Sequence, residues 1–415
     1  MGFGDNGTLF MRTAAFRKHI MVTTECEERE RMKKILLFGS GKQGEKALSF
    51  FGSENVEAFL DNNKNIQGNI IDNIMVKDVT DYLNEISNYE IVITTDCWAS
   101  IALQLRKLGI TEYKVWNEIR EFRYYDTNDL IVYPFNNTKK SEDECIKEPI
   151  SKFERNAIND EVEILYNQKN LFNHIEVETI NRCNGTCAFC PVNKKNDPRE
   201  LKIMTEECFK NIVDQLAELN YRGRFAAFSN NEPLLDDRII EFSKYARKKI
   251  PNARIHLFTN ATLMTMDKFI ELIDLLDEMV IDNYHPSLEL IKPCIEIKKY
   301  CETHTELKRK VTIAMRDPNQ IMSTRGGNAP NRNQFINYND DRCLLPYKQM
   351  IIRPDGKVSL CCNDALGEYT LGDTTKDSLI EIWYGKKFEN LRRIMYEEGR
   401  KGWGNCKVCD NFQWG

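Results

Sequence analysis

The stretch HIEVETINRCNGTCAFCP, residues 174–191, decides how the rest of the chain is read. Its first seven residues have the apolar content and length of a strand, and the loop that follows carries Cys183, Cys187 and Cys190. At spacings of four and three residues, three thiolates wrap one side of a cubane iron-sulfur cluster from a single loop, leaving the fourth iron without a protein ligand. A structural zinc site would want a fourth Cys or His, and a closed ferredoxin cluster a fourth Cys. Chance clustering of buried thiols is the bland alternative, and the position at a strand terminus weighs against it.

Outward from this stretch, strand candidates recur at 224–229, 254–260, 278–282 and 310–315, with helical patterns between them. The helix from Met204 is representative, since Phe209, Ile212, Val213, Leu216 and Leu219 fall on one face. Such alternation predicts an α/β fold with a parallel sheet, open or curled into a partial barrel, and functional residues at the carboxyl ends of its strands. From Asp341 the character changes. QMIIRPDGKVSLCC, residues 349–362, is a hairpin with its turn at Pro-Asp-Gly, followed by a helix over 378–395 and a Cys-rich tail. Cys343 and Cys361 lie at the two ends of that hairpin, and Cys406 and Cys409 supply a Cys-x-x-Cys. Four thiolates close a cluster; a tetrahedral zinc site uses the same ligand set and stays open as the structural alternative. Cys362, beside Cys361, is the competing ligand.

Toward the amino end, KKILLFGSGKQG, residues 33–44, is a strand, a glycine turn and the start of a helix. Gly39, Gly41 and Gly44 have the Gly-x-Gly-x-x-Gly spacing, and Asp61 ends the next strand, the arrangement that places phosphates at a helix N-terminus and a carboxylate on a ribose. The domain is short for a dinucleotide fold. The reading divides evenly between binding a nucleotide or nucleotide-sugar and a purely structural use of the glycines. The organisation is thus an extension over 1–31, a small Rossmann-like α/β domain over 32–120, a connector over 121–170, a cluster-bearing core over 171–335 and a hairpin-plus-helix domain over 336–415.

The chain has 415 residues, 14 Cys and 5 His, so zinc or haem explanations that need histidine are limited. Lys and Arg number 58 against 63 Asp and Glu, and a net charge of −5 disfavours a nucleic-acid or membrane-surface partner. The first 34 residues show no secretory h-region, which points to the cytoplasm, where thiols serve as ligands, catalysts or small hydrophobes. Cys26, Cys97, Cys145, Cys208, Cys294 and Cys301 have no partner at ligand spacing and read as packing or surface residues. Among the histidines only His285, at a strand end, invites mutation.

The Cys-x3-Cys-x2-Cys loop, with Phe189 before its last Cys, resembles the radical SAM superfamily. The resemblance implies a partial (β/α)6 barrel and a 4Fe-4S cluster holding S-adenosylmethionine (SAM), whose reductive cleavage gives a 5'-deoxyadenosyl radical. SNNEP at 229–233 is similar to the family's Gly-Gly-Glu-Pro segment, with Asn230 and Asn231 replacing the glycines and Glu232 kept for the methionine amino group. By the same resemblance Asn260 lies near the ribose and Arg316 meets the SAM carboxylate; a strand-end turn or cap is the alternative for both. The Cys-x12-Gly-x4-Cys register through Gly356, followed by Cys-x2-Cys, resembles the SPASM/Twitch domain in its shorter form, with one auxiliary 4Fe-4S cluster on Cys343, Cys361, Cys406 and Cys409. The whole is most similar to the 2-deoxy-scyllo-inosamine dehydrogenase type, which oxidises a secondary alcohol and passes an electron to the auxiliary cluster. That likeness makes Arg325 a substrate contact and implies a small-molecule substrate and a flavodoxin or ferredoxin reductant. A peptide-modifying maturase, a non-enzymatic iron-sulfur scaffold and a nucleic-acid-modifying radical enzyme are the rivals.

Overall fold

The computed structural model describes residues 33–116, 123–125, 127–134, 150–334 and 336–411. The expected extension over 1–31, with Cys26 and His19, and Cys145 all lie outside these residues. The described chain forms two compact units, one running to Thr95 and taking in Glu112–Trp116, the other made of Asp96–Thr111 and the residues beyond Trp116.

The smaller unit contains β1 (Lys34–Phe38), α1 (Lys42–Phe51), β2 (Val56–Leu60), β3 (Ile70–Ile71), β4 (Ile74–Lys77), β5 (Tyr89–Ile93) and β6 (Lys114–Val115). Its sheet runs β3-β4-β2-β1-β5-β6, parallel except for the β3–β4 pair. Leu36, Leu37 and Phe38 are wholly buried, as a central strand covered on both faces requires. The β3–β4 hairpin has no counterpart in the sequence reading. Gly44 is dictated by packing: a Cβ there would stand 2.1 Å from the Gly39 carbonyl oxygen, so α1 can approach β1 only through a glycine.

The larger unit opens with α2 (Trp98–Lys107), whose Ser100 Oγ donates to Asp160 Oδ2 at 2.6 Å on α3 (Lys152–Gln168). Between these helices lies β7 (Ile131–Val132). There follow β8 (His174–Val177), α4 (Glu206–Glu218), β9 (Arg224–Ala226), α5 (Ile239–Lys249), β10 (Arg254–Thr259), α6 (Met266–Leu275), β11 (Glu278–Tyr284), α7 (Lys292–Thr303) and β12 (Val311–Arg316). Last come β13 (Gln349–Ile352), β14 (Lys357–Ser359), β15 (Gly372–Asp373), α8 (Leu379–Trp383) and α9 (Lys386–Glu397). One sheet joins all nine strands in the order β15-β14-β13-β8-β9-β10-β11-β12-β7. The run from β13 to β7 is parallel, and β14 and β15 add antiparallel.

Two sequence expectations change here. The stretch taken as a connector supplies β7, which pairs with β12, and α3, which starts at a capping box between Ser151 and Glu154. The helix expected over 378–395 is two helices, because Gly385 is the extended N-cap of α9 and stops α8.

Each strand of the parallel run has two faces. Ile175, Phe225, Leu257, Ile281 and Ile313 pack into the core with α4 to α7, where α4, capped by Thr205, buries Phe209, Ile212, Val213 and Leu216. The alternate residues, among them the polar His174, Glu176, Arg224, His256, Glu278 and Arg316, face the other way. On that face the His174 and His256 rings approach to 5.4 Å although β9 lies between their strands, a convergence that a curled sheet produces. We call this the inner face.

Candidate active site

The cluster loop leaves the carboxyl end of β8. Cys183 Sγ and Cys187 Sγ lie 3.3 and 3.8 Å from the position a Cβ on Gly185 would take, so the two thiols converge on the loop's own turn. Asn193 Nδ2 fastens the loop by donating to the carbonyls of Cys187 and Cys190 at 3.1 and 2.8 Å, and Ala188 N–H donates to Pro318 O. Burial pushes the Cys183 and Cys187 thiols up to about 12, each aggravated by the neighbouring thiols. None of the described cysteines is in a disulfide. Phe189 is buried, its ring 6.0 Å from that of Tyr284.

The SNNEP and FTNAT segments meet beside this loop. Glu232 is buried and its carboxylate accepts from Leu234 N, Thr259 Oγ1 and Asn260 N at 3.1, 2.6 and 2.8 Å, holding the ends of β9 and β10 together. Asn260 Nδ2 donates to Asn184 Oδ1 at 2.8 Å, inside the cluster loop. Asn231 Oδ1 accepts from Ser229 N, and its Nδ2 is buried without a partner among the described residues, a free donor where the resemblance places SAM. The converging Cys183 and Cys187 thiols, with Cys190 within electrostatic reach of both, and this orphan donor fit the cluster and SAM. Arg316 Nε pairs with Asp282 and its Nη2 donates to Tyr125 Oη at 3.0 Å. His285 is a turn residue, with Nδ1 accepting from Ser287 N and Glu289 N.

In the carboxyl-terminal part, Cys361 lies within electrostatic reach of Cys343, Cys406 and Cys409. Cys362 instead stands by Glu176, Arg325 and Gln349, with Cys409 also within electrostatic reach. Burial raises both thiols, Cys362 to about 12. The buried Arg400 donates to Cys409 O and Asn411 O at 2.8 and 2.9 Å and faces Cys343, Cys406 and Cys409. Such a cation suits a thiolate cluster. Among the described residues, no three Cys, His, Asp or Glu side chains stand together as for a single metal ion.

Arg325 is delivered by this same region. Thr324 N and Oγ1 donate to Asp410 Oδ1 and Val408 O at 2.8 and 2.7 Å, pinning the loop to the Cys406–Cys409 turn. Gly327 takes φ 90 there, and a Cβ on it would meet Val408 Cγ2 at 2.7 Å. The Arg325 guanidinium donates to Asn230 Oδ1 and acts on Glu176. Glu176, which the sequence reading passed over, accepts from Ser229 Oγ at 2.6 Å and Gln349 Nε2 at 3.0 Å. Gln349 Oε1 in turn accepts from the backbone N–H of Cys362. Burial raises the Glu176 carboxyl to about 7 against the pull of these donors and of Arg224 and Arg325. Arg199 was also missed: it joins Glu178, Asp197, Asn230 O and Ala365 O, and burial leaves Glu178 at about 7 despite it.

In the smaller unit, Gly39, Gly41 and Gly44 form the predicted turn after β1, with Gly41 as N-cap of α1 and open space beside it. Asp61 Oδ2 accepts from Ser40 N and Oγ at 3.1 and 2.7 Å, so this carboxylate is engaged in holding the loop.

Residues 177–315 match the Radical SAM superfamily, 343–410 the SPASM iron-sulfur cluster-binding domain, and 31–116 a family described as C2185-like, N-terminal. The S-adenosyl-L-methionine-dependent 2-deoxy-scyllo-inosamine dehydrogenase of Niallia circulans is 28% identical over 246 residues, 58% of this chain and 94% of that protein. An uncharacterized protein of Methanocaldococcus jannaschii is 35% identical over 107 residues, 25% of this chain and 35% of its own. The crystal structure of BtrN in complex with AdoMet and 2-DOIA aligns with a TM-score of 0.51 at 26% identity, covering 58% of this chain and 94% of that one. The chain is a radical SAM enzyme with a carboxyl-terminal SPASM domain, and the cofactors implied are a SAM-binding 4Fe-4S cluster and an auxiliary cluster.

Proposed function

We propose that this enzyme oxidises a secondary alcohol on a hydroxylated ring, of the carbohydrate, aminocyclitol or nucleotide-sugar class, to a ketone. The observation that carries the reading is the place of one buried carboxylate: Glu176 sits on the core strand that leads into the cluster loop, yet is held by Gln349 and faced by Arg325 and Cys362 from the SPASM side. Taking an alcohol to a ketone removes a hydrogen atom, a proton and an electron. SAM on the core cluster, when bound, supplies the acceptor of the hydrogen atom, and the auxiliary cluster that of the electron. The proton falls to the protein. Glu176, whose buried carboxyl titrates at about 7, takes it at neutral pH, and Arg325 orients the hydroxyl oxygen. The ligands are Cys183, Cys187 and Cys190 for the core cluster and Cys343, Cys361, Cys406 and Cys409 for the auxiliary one; Asn231 and Asn260 border SAM.

The described residues include no helix long and apolar enough to cross a membrane, and we place the enzyme in the cytoplasm with a flavodoxin or ferredoxin as reductant. Anaerobic reconstitution should yield about eight irons per chain. With 2-deoxy-scyllo-inosamine, SAM and dithionite it should then form ketone and 5'-deoxyadenosine in equal amounts. Loaded enzyme that makes 5'-deoxyadenosine but no ketone from a panel of cyclitols and nucleotide-sugars would overturn the dehydrogenase reading.

With an auxiliary cluster bound on these thiols, the buried Arg400 beside Cys343, Cys406 and Cys409 would raise its electron affinity. One positive charge at roughly 8 Å through an effective dielectric near 20 amounts to about 2 kcal/mol, so Arg400→Gln should lower that potential by on the order of 50–100 mV. Potentiometric titration followed by electron paramagnetic resonance (EPR) reads the shift, and an unchanged potential would remove this role.

A further inference from the structure

Residues 117–173 fall between the family match at 31–116 and the strand that leads into the cluster loop, and their polar sequence gives no hint of a role in the site. The structure nevertheless builds part of this stretch into the inner face. Ile313 N donates to Leu130 O at 2.7 Å, and β7 continues the sheet beside β12. Arg123 Nη2 reaches Thr312 Oγ1 at 3.1 Å, Tyr124 N donates to Glu278 Oε1 at 2.7 Å, and Tyr125 Oη receives Arg316 Nη2 at 3.0 Å. Thr312, Glu278 and Arg316 all belong to the inner face.

Tyr124 is the residue this anchoring positions. Its ring stands edge-on to Phe258 at 4.8 Å, and Phe258 stacks on Phe228 at 5.3 Å. Its phenol lies within electrostatic reach of Arg224 on β9, Asp282 on β11, Arg316 on β12 and Cys362 beyond β14. One side chain therefore reaches toward both the core strands and the SPASM loop. Among the described residues the Tyr124 hydroxyl makes no hydrogen bond of its own. An aromatic group with a free hydroxyl, packed on Phe258 and within electrostatic reach of Arg224, Asp282 and Cys362, suits a ring that is apolar across its plane and hydroxylated at its rim.

We propose that residues 123–125 and 127–132 form a side wall of the substrate chamber and that Tyr124 is a specificity-determining contact for a hydroxylated ring. The choice of ring substrate rests on the dehydrogenase reading, whereas the wall itself does not. The test separates them. In reconstituted holoenzyme under anaerobic conditions, iodoacetamide labelling of Cys362 is followed by peptide mass spectrometry. Tyr124→Ala should speed it about tenfold, because thiol reactivity follows access. Tyr133→Ala, at a residue 53% exposed, should not change it. Cys294 and Cys301, wholly buried on α7, report folding in the same digest and should stay unlabelled. If they react, Tyr124→Leu is judged by the same criterion. Equal Cys362 labelling in wild type and the folded Tyr124 variant would overturn the wall. For the contact, Tyr124→Phe should raise KM for 2-deoxy-scyllo-inosamine about tenfold with little change in kcat. An unchanged KM would overturn the contact. Wild-type enzyme inert toward this probe and other cyclitols would count against both the contact and the dehydrogenase reading, while Cys362 labelling still decides the wall.

Discussion

Glu176→Gln is expected to stop ketone formation while leaving 5'-deoxyadenosine production in place. The side chain keeps its size and its contact with Ser229 but can no longer take a proton. Loss of a positioned base costs roughly 10²–10⁴-fold. Both clusters should load normally, because no ligand is touched. A second readout separates a chemical role from a packing one. The folded-state carboxyl is raised to about 7 by burial, so its protonated form is the one the fold favours. That contribution is complete below the unfolded value of about 4.3 and is lost as the pH rises through about 7, a swing on the order of 4 kcal/mol. Gln is neutral throughout. Relative to wild type the variant should therefore gain thermal stability from about pH 5 to about pH 8, even as it loses activity. Infrared difference spectra should lose one protonated-carboxyl band that titrates near pH 7 in wild type. A variant still making ketone within about threefold of wild type would exclude Glu176 as the base.

The adjacent thiols Cys361 and Cys362 should behave in opposite ways. Cys361→Ala removes the side chain that meets Cys343, Cys406 and Cys409, and should lower the iron content by about four per chain and abolish ketone formation. Cys362→Ala should keep its iron, because that thiol faces Glu176 and Gln349 instead. Iron and sulfide analysis with EPR decides the matter, and loss of iron from Cys362→Ala alone would reverse the assignment.

What could be read from the sequence is what local pattern encodes. β8 and its loop declare themselves because an apolar strand runs directly into three thiols at fixed spacing, and the hairpin before Cys361 follows from its Pro-Asp-Gly turn. Glu176 gave no such signal. A Glu between Ile175 and Val177 is what any half-exposed strand contains, and only long-range partners, Gln349 and Ser229, make it a buried acid. Asp61 was placed on a ribose by analogy, but a carboxylate at the end of β2 also suffices to hold Ser40. α3 was legible: Ser151 and Glu154 form a capping box ahead of Ala157, Ile158 and Val162 at helical spacing, and the polar run before it drew attention away. β7, two residues long, was not, since only its pairing with β12 makes it a strand.

The pairing of β13 with β8 bears on how enzymes of this kind can be recombined. The matched regions, 177–315 and 343–410, suggest two exchangeable modules. In the sheet, however, the first strand of the auxiliary hairpin is hydrogen-bonded along the strand that launches the core cluster loop, from Gln349 beside His174 to Ile352 beside Val177. Cutting the chain between them strips β8 of a neighbour and leaves an open sheet edge at the catalytic loop. A chimera that replaces the carboxyl-terminal domain likewise grafts a foreign strand onto that edge. Transplantable units in this architecture are therefore bounded by shared strands, not by the limits of the motifs.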